Sequence, residues 1–106
     1  MPKSFVAVAK LSDVPPGQIH FVDTENERVV LCNIDGHIYA IEDVCTHDGG
    51  PLEEGFLEGC AIECPRHGAQ FDVRTGEVLR PPAYLPIRTF PVRIEGDTIS
   101  VEMESD

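Results

Sequence analysis

The sequence of 106 residues predicts a single all-β domain. The prediction rests on three pairs of β-rich runs, each pair joined by a short turn that contains glycine. It also rests on the scarcity of segments with the apolar period and the end signals of a helix. A chain of this length buries roughly 60 to 70% of the surface that it exposes when unfolded, so we expect a thin hydrophobic core.

Turn chemistry locates the predicted hairpins. The first joins RVVLCNI to HIYAIE through Asp35-Gly36, a pair that tolerates the positive φ angles of a type I′ turn. The second joins AQFDV to EVL through Arg74-Thr75-Gly76, and the third joins FPVRIE to TISVEM through Gly96-Asp97. A single helical turn is predicted in LSDVPPG, with Ser12 as its N-cap and Pro15-Pro16 as its end.

The charge balance limits the possible partners. The chain has 8 basic and 19 acidic residues, a formal net charge of −11, which opposes binding to nucleic-acid phosphates and to anionic lipid headgroups. The sequence contains no run of 18 apolar residues and no secretory leader pattern. We therefore expect no nucleic-acid or membrane partner and a cytoplasmic monomer. In that reducing compartment, the four cysteines are expected as thiols or metal ligands rather than disulfides.

One stretch, CTHDGGPLEEGFLEGCAIECPRH, contains four candidate metal ligands: Cys45, His47, Cys64 and His67. The spacing is C-x-H, then sixteen residues, then C-x-x-H. Residues two apart in an extended backbone project to the same side, so the first pair can face one centre. In the second pair, Pro65 fixes φ in a turn and Gly68 is expected to let the backbone pass close by. The pattern predicts two loops, each offering one thiolate and one imidazole.

Two kinds of metal site use this donor set. Two thiolates and two imidazoles form a tetrahedral zinc site, which would make the chain a zinc-stabilised β interaction module. The usual zinc arrangement, however, groups the cysteines at one end and the histidines at the other. A binuclear iron–sulfur centre with two thiolates on one iron and two imidazoles on the other fits the mixed supply. Spacing alone leaves zinc open.

The motifs CTHDGG and CPRHGAQFD resemble the signature of Rieske [2Fe-2S] proteins. The order of the other features, namely the Asp-Gly hairpin, GGPL, FD..TGEV, RPPAYLP and a final hairpin, resembles small Rieske-type ferredoxins over nearly the full chain. The resemblance implies one domain over residues 1–106, with stacked antiparallel sheets and a cluster-binding subdomain at about 43–83. It also implies a proline-bearing loop at 80–83 that leans over the cluster.

The same resemblance implies one Rieske-type [2Fe-2S] cluster, with Cys45 and Cys64 on one iron and with His47 and His67 on the other. Because the protein fills all four ligand positions, no open position remains for a substrate. The expected role is therefore that of a one-electron carrier and not of an enzyme.

Four positions differ from the Rieske subunits of respiratory and photosynthetic cytochrome complexes. Gly50 and Arg66 stand where that branch has two further cysteines joined in a disulfide. Ala69 and Phe71 stand where it has Ser and Tyr hydroxyls that hydrogen bond to sulfur. Without those bonds, we expect a reduction potential nearer about −150 mV than about +300 mV.

Low-potential relatives of this size resemble the ferredoxin components of bacterial multicomponent oxygenases that act on aromatic compounds. Such a protein would take electrons from an NAD(P)H-dependent flavoprotein reductase and pass them to a terminal oxygenase. The small Rieske subunit of an assimilatory nitrite reductase is the alternative.

The remaining cysteines and histidines are expected to be structural. Cys32 alternates with apolar residues in a predicted strand and is interpreted as a small buried hydrophobe. Cys60 is interpreted as a buried thiol without a ligand role. His20 and His37 lie in predicted strands outside both loops. Arg66 stands between two candidate ligands and is a candidate for contact with a redox partner.

Overall fold

In the computed structural model, which describes residues 3–24 and 27–104, the chain forms an all-β protein, as predicted. Its strands are β1 (Lys3–Lys10), β2 (Ile19–Asp23), β3 (Arg28–Ile34), β4 (His37–Glu42), β5 (Phe56–Glu58), β6 (Ala61–Glu63), β7 (Gln70–Asp72), β8 (Val78–Arg80), β9 (Thr89–Phe90), β10 (Val92–Glu95) and β11 (Thr98–Glu104). A 3₁₀ turn at Leu11–Asp13 follows β1. No helix in these two ranges is long and apolar enough to cross a membrane.

The strands form three antiparallel sheets. One sheet has the order β1-β11-β10, the second β2-β3-β4-β9 and the third β5-β6-β7-β8. We call them the outer sheet, the middle sheet and the ligand sheet, because the candidate ligands lie in loops that adjoin the last of them.

Strand β3 of the middle sheet is buried on both faces. In β3, Val29 and Leu31 pack with Ile99 of the outer sheet in one apolar cluster. Val30 and Cys32, which alternate with them, pack with residues of the ligand sheet in another cluster. An alternating strand has one face for each layer, and here both faces need apolar side chains. This explains the uninterrupted run VVLC.

Local turn chemistry accounts for the predicted hairpins. Asp35 and Gly36 have φ angles of 52° and 92°, as a type I′ turn requires, and the Gly36 N–H donates to the Asn33 side chain at 2.7 Å. The other two hairpins, β7-β8 and β10-β11, are also confirmed.

The predicted N-cap at Ser12 is wrong. Ser12 lies inside the 3₁₀ turn, and the residue that precedes the turn is Lys10. The Lys10 N–H donates to the Asp13 carboxylate at 2.9 Å, so the acidic side chain three residues ahead closes the turn. A carboxylate can accept a hydrogen bond from the N–H that precedes a turn, just as a serine hydroxyl would. Here the carboxylate belongs to Asp13, the last residue of the turn.

A buried carboxylate closes the base of the loop at 43–55. The Asp43 side chain is fully buried, and its Oδ1 accepts hydrogen bonds from the N–H groups of Leu52 at 2.7 Å and Glu53 at 2.8 Å. Arg28 donates to its Oδ2 at 3.3 Å. A buried charge is tolerated only when its hydrogen bonds are made, and these contacts fix both ends of the loop.

The two cysteines outside the motif differ in exposure. Cys32 is fully buried, which raises the pKa of its thiol to about 12 and confirms its interpretation as a small hydrophobe. Cys60 lies in the short turn between β5 and β6 and is only half-buried, so the prediction of a buried thiol is wrong. A two-residue turn leaves too little chain around it to cover the side chain.

Candidate metal centre

The first ligand loop, residues 45–50, is closed by its own backbone. The Cys45 N–H donates to the Gly50 carbonyl at 2.8 Å, and the Gly49 N–H donates to the Cys45 carbonyl at 2.7 Å. Gly49 has a φ of 74°, a conformation that side chains rarely adopt. The Gly50 N–H donates to the Asp48 carboxylate at 2.9 Å. The hydrogen bonds within the first ligand loop therefore hold its shape without any contact to the second ligand loop.

The second ligand loop, residues 64–69, repeats this framework. The Cys64 N–H donates to the Ala69 carbonyl at 2.8 Å, and the Gly68 N–H donates to the Cys64 carbonyl at 2.9 Å. Gly68 has a φ of 77°, and a Cβ placed on it would meet nothing within 4 Å. The prediction that Gly68 permits a close backbone approach is therefore wrong, because its role is conformational. In both loops the cysteine occupies the same point of a six-residue frame.

The structure brings the four predicted ligand residues together as two pairs, with Asp48 between them: its Oδ2 lies 3.6 Å from His67 Nδ1. Cys45 and Cys64 are fully buried, and their sulfur atoms and an Asp48 carboxylate oxygen lie within 4.8 Å of one another. His47 and His67 are exposed, with ring centroids 4.9 Å apart and ring planes at 88°. Thiols thus form the inner side of the site and imidazoles the outer side.

The inner side favours a bound cation. Burial raises the pKa of the Cys45 thiol, while the backbone N–H groups of His47 and Asp48 act in the opposite direction. The neighbouring Cys64 sulfur also raises the pKa of the Cys45 thiol, since a second negative charge beside it is costly. A metal ion removes that cost and binds the thiolate form.

A third loop adjoins the ligand loops. The Thr46 hydroxyl, between Cys45 and His47, donates to the Leu85 carbonyl at 2.6 Å and ties residues 81–88 to the first ligand loop. Tyr84 in that segment is 80% exposed. Sequence reasoning missed Thr46, because nothing in a sequence marks a carbonyl acceptor 39 residues away.

Arg66 connects the two ligand loops. Its Nε donates to Asp48 Oδ2 at 2.6 Å and its Nη2 donates to Asp48 Oδ1 at 3.2 Å, a two-point ion pair. This guanidinium, followed by the Gly50 N–H, holds the pKa of the Asp48 carboxyl well below its usual range. All four cysteines of the chain are described and free, and Gly50 and Arg66 stand at the positions where a loop disulfide would need cysteines.

Comparison with known proteins identifies the family. Residues 4–91 match the family model described as the Rieske [2Fe-2S] domain. The chain belongs to the Rieske [2Fe-2S] family. It is 38% identical over 104 residues to a protein of a Ralstonia species, the ferredoxin component of naphthalene 1,2-dioxygenase/salicylate 5-hydroxylase systems. The alignment covers 98% of this chain and 100% of the relative.

Solved structures of Rieske ferredoxins have the same fold. The ferredoxin of carbazole 1,9a-dioxygenase from Nocardioides aromaticivorans is 34% identical, with a TM-score of 0.87 over 92% of this chain and 96% of that one. A chain from the complex of reduced oxygenase and oxidized ferredoxin in carbazole 1,9a-dioxygenase is 35% identical, with a TM-score of 0.87 over 92% and 91%. Two small nitrite reductase subunits, at 23% and 18% identity, share the fold alone.

These similarities decide several predictions. They confirm the Rieske family, the stacked antiparallel sheets, the ferredoxin role and the relation to aromatic dioxygenase systems. The chain is an electron-transfer component and not an enzyme. The cofactor of this Rieske protein is a [2Fe-2S] cluster, which sets aside the zinc alternative. The donors present fit that group, because two buried thiols and two imidazoles match its mixed ligand set.

Proposed function

We propose that Cys45 and Cys64 bind one iron, that His47 and His67 bind the other, and that the chain passes single electrons from a flavoprotein reductase to a terminal oxygenase. The observation that carries the ligand assignment is the pairing of two buried sulfurs within 4.8 Å with two exposed imidazoles 4.9 Å apart. This is the division of donors that a Rieske centre needs.

When bound, the cluster supplies a one-electron redox couple. The protein contributes the surroundings: Cys45 and Cys64 lie in the same apolar cluster as Phe71, which excludes water from the thiolate side. Neutral imidazoles in place of two thiolates lower the negative charge of the centre and so favour reduction. The exposed edges of His47 and His67 give electrons a short path between the site and a partner.

The partners follow from the relatives. A structure of carbazole 1,9a-dioxygenase contains an oxygenase together with its ferredoxin, and this chain is similar to a chain of that complex. We infer a terminal oxygenase of aromatic-compound metabolism as the acceptor and an NAD(P)H-dependent flavoprotein reductase as the donor. Free cysteines agree with a reducing cytoplasm, and a net charge of −11 favours a monomer that meets basic surfaces transiently.

We also propose that residues 43–83 act as the cluster-binding subdomain. This range contains both ligand loops and the whole ligand sheet. The middle sheet packs against it on one face and against the outer sheet on the other.

The ligand assignment is tested by comparing Cys64→Ser with Cys32→Ala, since both cysteines are fully buried but only Cys64 lies in a ligand loop. Iron content, visible absorption and the electron paramagnetic resonance spectrum of the reduced protein are measured. We expect Cys64→Ser to lose the Rieske signal and Cys32→Ala to keep it. A Cys64→Ser protein with full iron and an unchanged spectrum would overturn the assignment.

The pathway is tested by reconstitution with purified reductase and terminal oxygenase from an aromatic dioxygenase system. We expect NAD(P)H-dependent reduction of the chain followed by oxygenase turnover. Reduction without any transfer to an oxygenase, together with transfer to a nitrite reductase, would favour the alternative.

A further inference from the structure

We propose that Arg66 is a positioning residue for the cluster, and that its guanidinium holds the two ligand loops at the separation that cluster binding requires. The proposal rests on the ligand assignment made above. We call Arg66 and its contacts on Asp48, Pro51 and Glu54 the Arg66 clamp.

The clamp joins the second ligand loop to the first ligand loop and to the residues that follow it, 51–54, by four hydrogen bonds. Two go to the Asp48 carboxylate, at 2.6 and 3.2 Å. The other two leave Nη1 for the Pro51 carbonyl at 3.0 Å and for the Glu54 carboxylate at 3.1 Å. All the acceptors lie in residues 48–54, whereas the donor stands between Cys64 and His67. Each bond therefore opposes separation of the loops.

The first ligand loop is shaped to accept the guanidinium. A Cβ on Gly50 would lie 2.7 Å from Arg66 Cζ and Nη2, and 2.9 Å from Nε. The φ angle of Gly50 is not positive, so backbone conformation does not require a glycine there. The space above Gly50 is filled by Arg66, and any larger residue would push the guanidinium away.

The clamp also sets the charge beside the site. The Asp48 carboxylate lies 3.6 Å from His67 Nδ1, and the Arg66 and Asp48 side chains are 27% and 21% exposed. Partial burial of a two-point pair makes the interaction stronger than that of an exposed pair. A lysine would keep the charge but not the paired donors.

The first test separates geometry from charge with Arg66→Gln and with the double variant Asp48→Asn/Arg66→Gln. Iron release to a chelator is measured on the holoprotein, as is the midpoint potential. Loss of a residue that orients metal ligands usually weakens metal affinity about 10- to 100-fold, and we expect iron release from Arg66→Gln to be faster by about the same factor. The potential should fall, because Asp48 keeps its negative charge without a partner. The double variant should recover the potential but not the slow release.

The second test uses Gly50→Ala, which displaces the guanidinium without changing any charge. We expect faster iron release than in the wild type. In the Arg66→Gln background, the same substitution should have little further effect, because the contact that it disturbs is already gone.

Arg74→Gln is the matched control. Arg74 pairs with Asp72 at 3.0 Å, but both residues lie in the β7-β8 hairpin and join no ligand loops. Its iron release should match the wild type.

Three results would overturn the clamp. The first is iron release at the wild-type rate in Gly50→Ala. The second is a rate in Gly50→Ala/Arg66→Gln that combines the full effects of both single variants, and the third is slow release restored in Asp48→Asn/Arg66→Gln. Failure of the ligand assignment is a separate outcome, since it would show as a Cys64→Ser protein that retains its iron.

Discussion

The middle sheet and the ligand sheet are held by different kinds of interaction. The middle sheet has strands of five to seven residues apart from the short β9, and β3 is apolar on both faces. Strands in the ligand sheet have three residues each. The loops beside it are closed by their own backbone hydrogen bonds and are joined to the rest of the chain by side chains such as Asp43, Thr46 and Arg66. Apolar packing therefore stabilises the middle sheet, while hydrogen bonds and ion pairs position the ligand loops.

The largest expected effect is on the middle sheet. Leu31 is fully buried, and Leu31→Ala should lower the free energy of unfolding by about 2 to 5 kcal/mol through lost burial and a residual cavity. Thermal unfolding of the holoprotein measures the loss. The folded variant should keep its visible spectrum, and a changed spectrum would mean that packing in the middle sheet also positions the ligands.

Asp43 lies at the boundary between the two regions. Asp43→Ala leaves the buried N–H of Leu52 and the partly buried N–H of Glu53 without their acceptor. We expect a loss of about 1 to 3 kcal/mol, the cost of one unsatisfied buried donor, because water can reach the Glu53 N–H. Asp43→Asn keeps an oxygen acceptor and should lose less. Chemical denaturation measures both, and equal losses in the two variants would point to the charge rather than the hydrogen bonds.

A smaller effect is expected from restoring a hydroxyl beside the sulfur atoms. Phe71 is fully buried in the same apolar cluster as Cys45 and Cys64. Phe71→Tyr should raise the reduction potential by about 40 mV, which is about 1 kcal/mol of hydrogen bonding to a one-electron centre. A redox titration of the variant and the wild type measures the shift. Phe71→Leu, which adds no hydroxyl, is the control and should not raise the potential.

The smallest effect concerns pH. Arg74 holds the pKa of the Asp72 carboxyl below its usual range, so the ionised form is favoured in the folded state. Its contribution is present above the unfolded pKa of about 4 and is lost as pH falls through the lower folded value. Because the Arg74 side chain is 51% exposed, water screens the ion pair and we expect only a small change in the free energy of unfolding. Stability measured between pH 6 and 2 should fall less in Arg74→Gln than in the wild type.

The contrast between the two regions also explains what the sequence could predict. Hairpins such as β3-β4 depend on adjacent residues like Asp35 and Gly36. The ligand residues follow a spacing that can be recognised in the sequence itself. The pairing of β1 with β11 and of β4 with β9 depends on residues far apart in the chain. No local signal marks it.

The same limit applies within the site. Cys45 and His47 could be found from spacing, but the contact of Arg66 with Asp48 joins residues 18 apart through side-chain geometry. Its position between two ligands makes Arg66 a candidate for contact with a redox partner, but no sequence signal indicates the bonds that its guanidinium makes within the chain. Nothing in the sequence indicates that Gly50 leaves room for the Arg66 guanidinium, because that contact also joins residues far apart in the chain.

The two ligand loops share one backbone frame, which could therefore serve as a repeated unit in the design of metal-binding proteins. A six-residue unit with cysteine first and a glycine of positive φ fifth carries its own hydrogen bonds. The histidine stands third in one copy and fourth in the other, so a single-position shift within a constant frame distinguishes them. A designer could transplant two copies of this unit onto neighbouring loops of an unrelated β-scaffold and vary only their spacing.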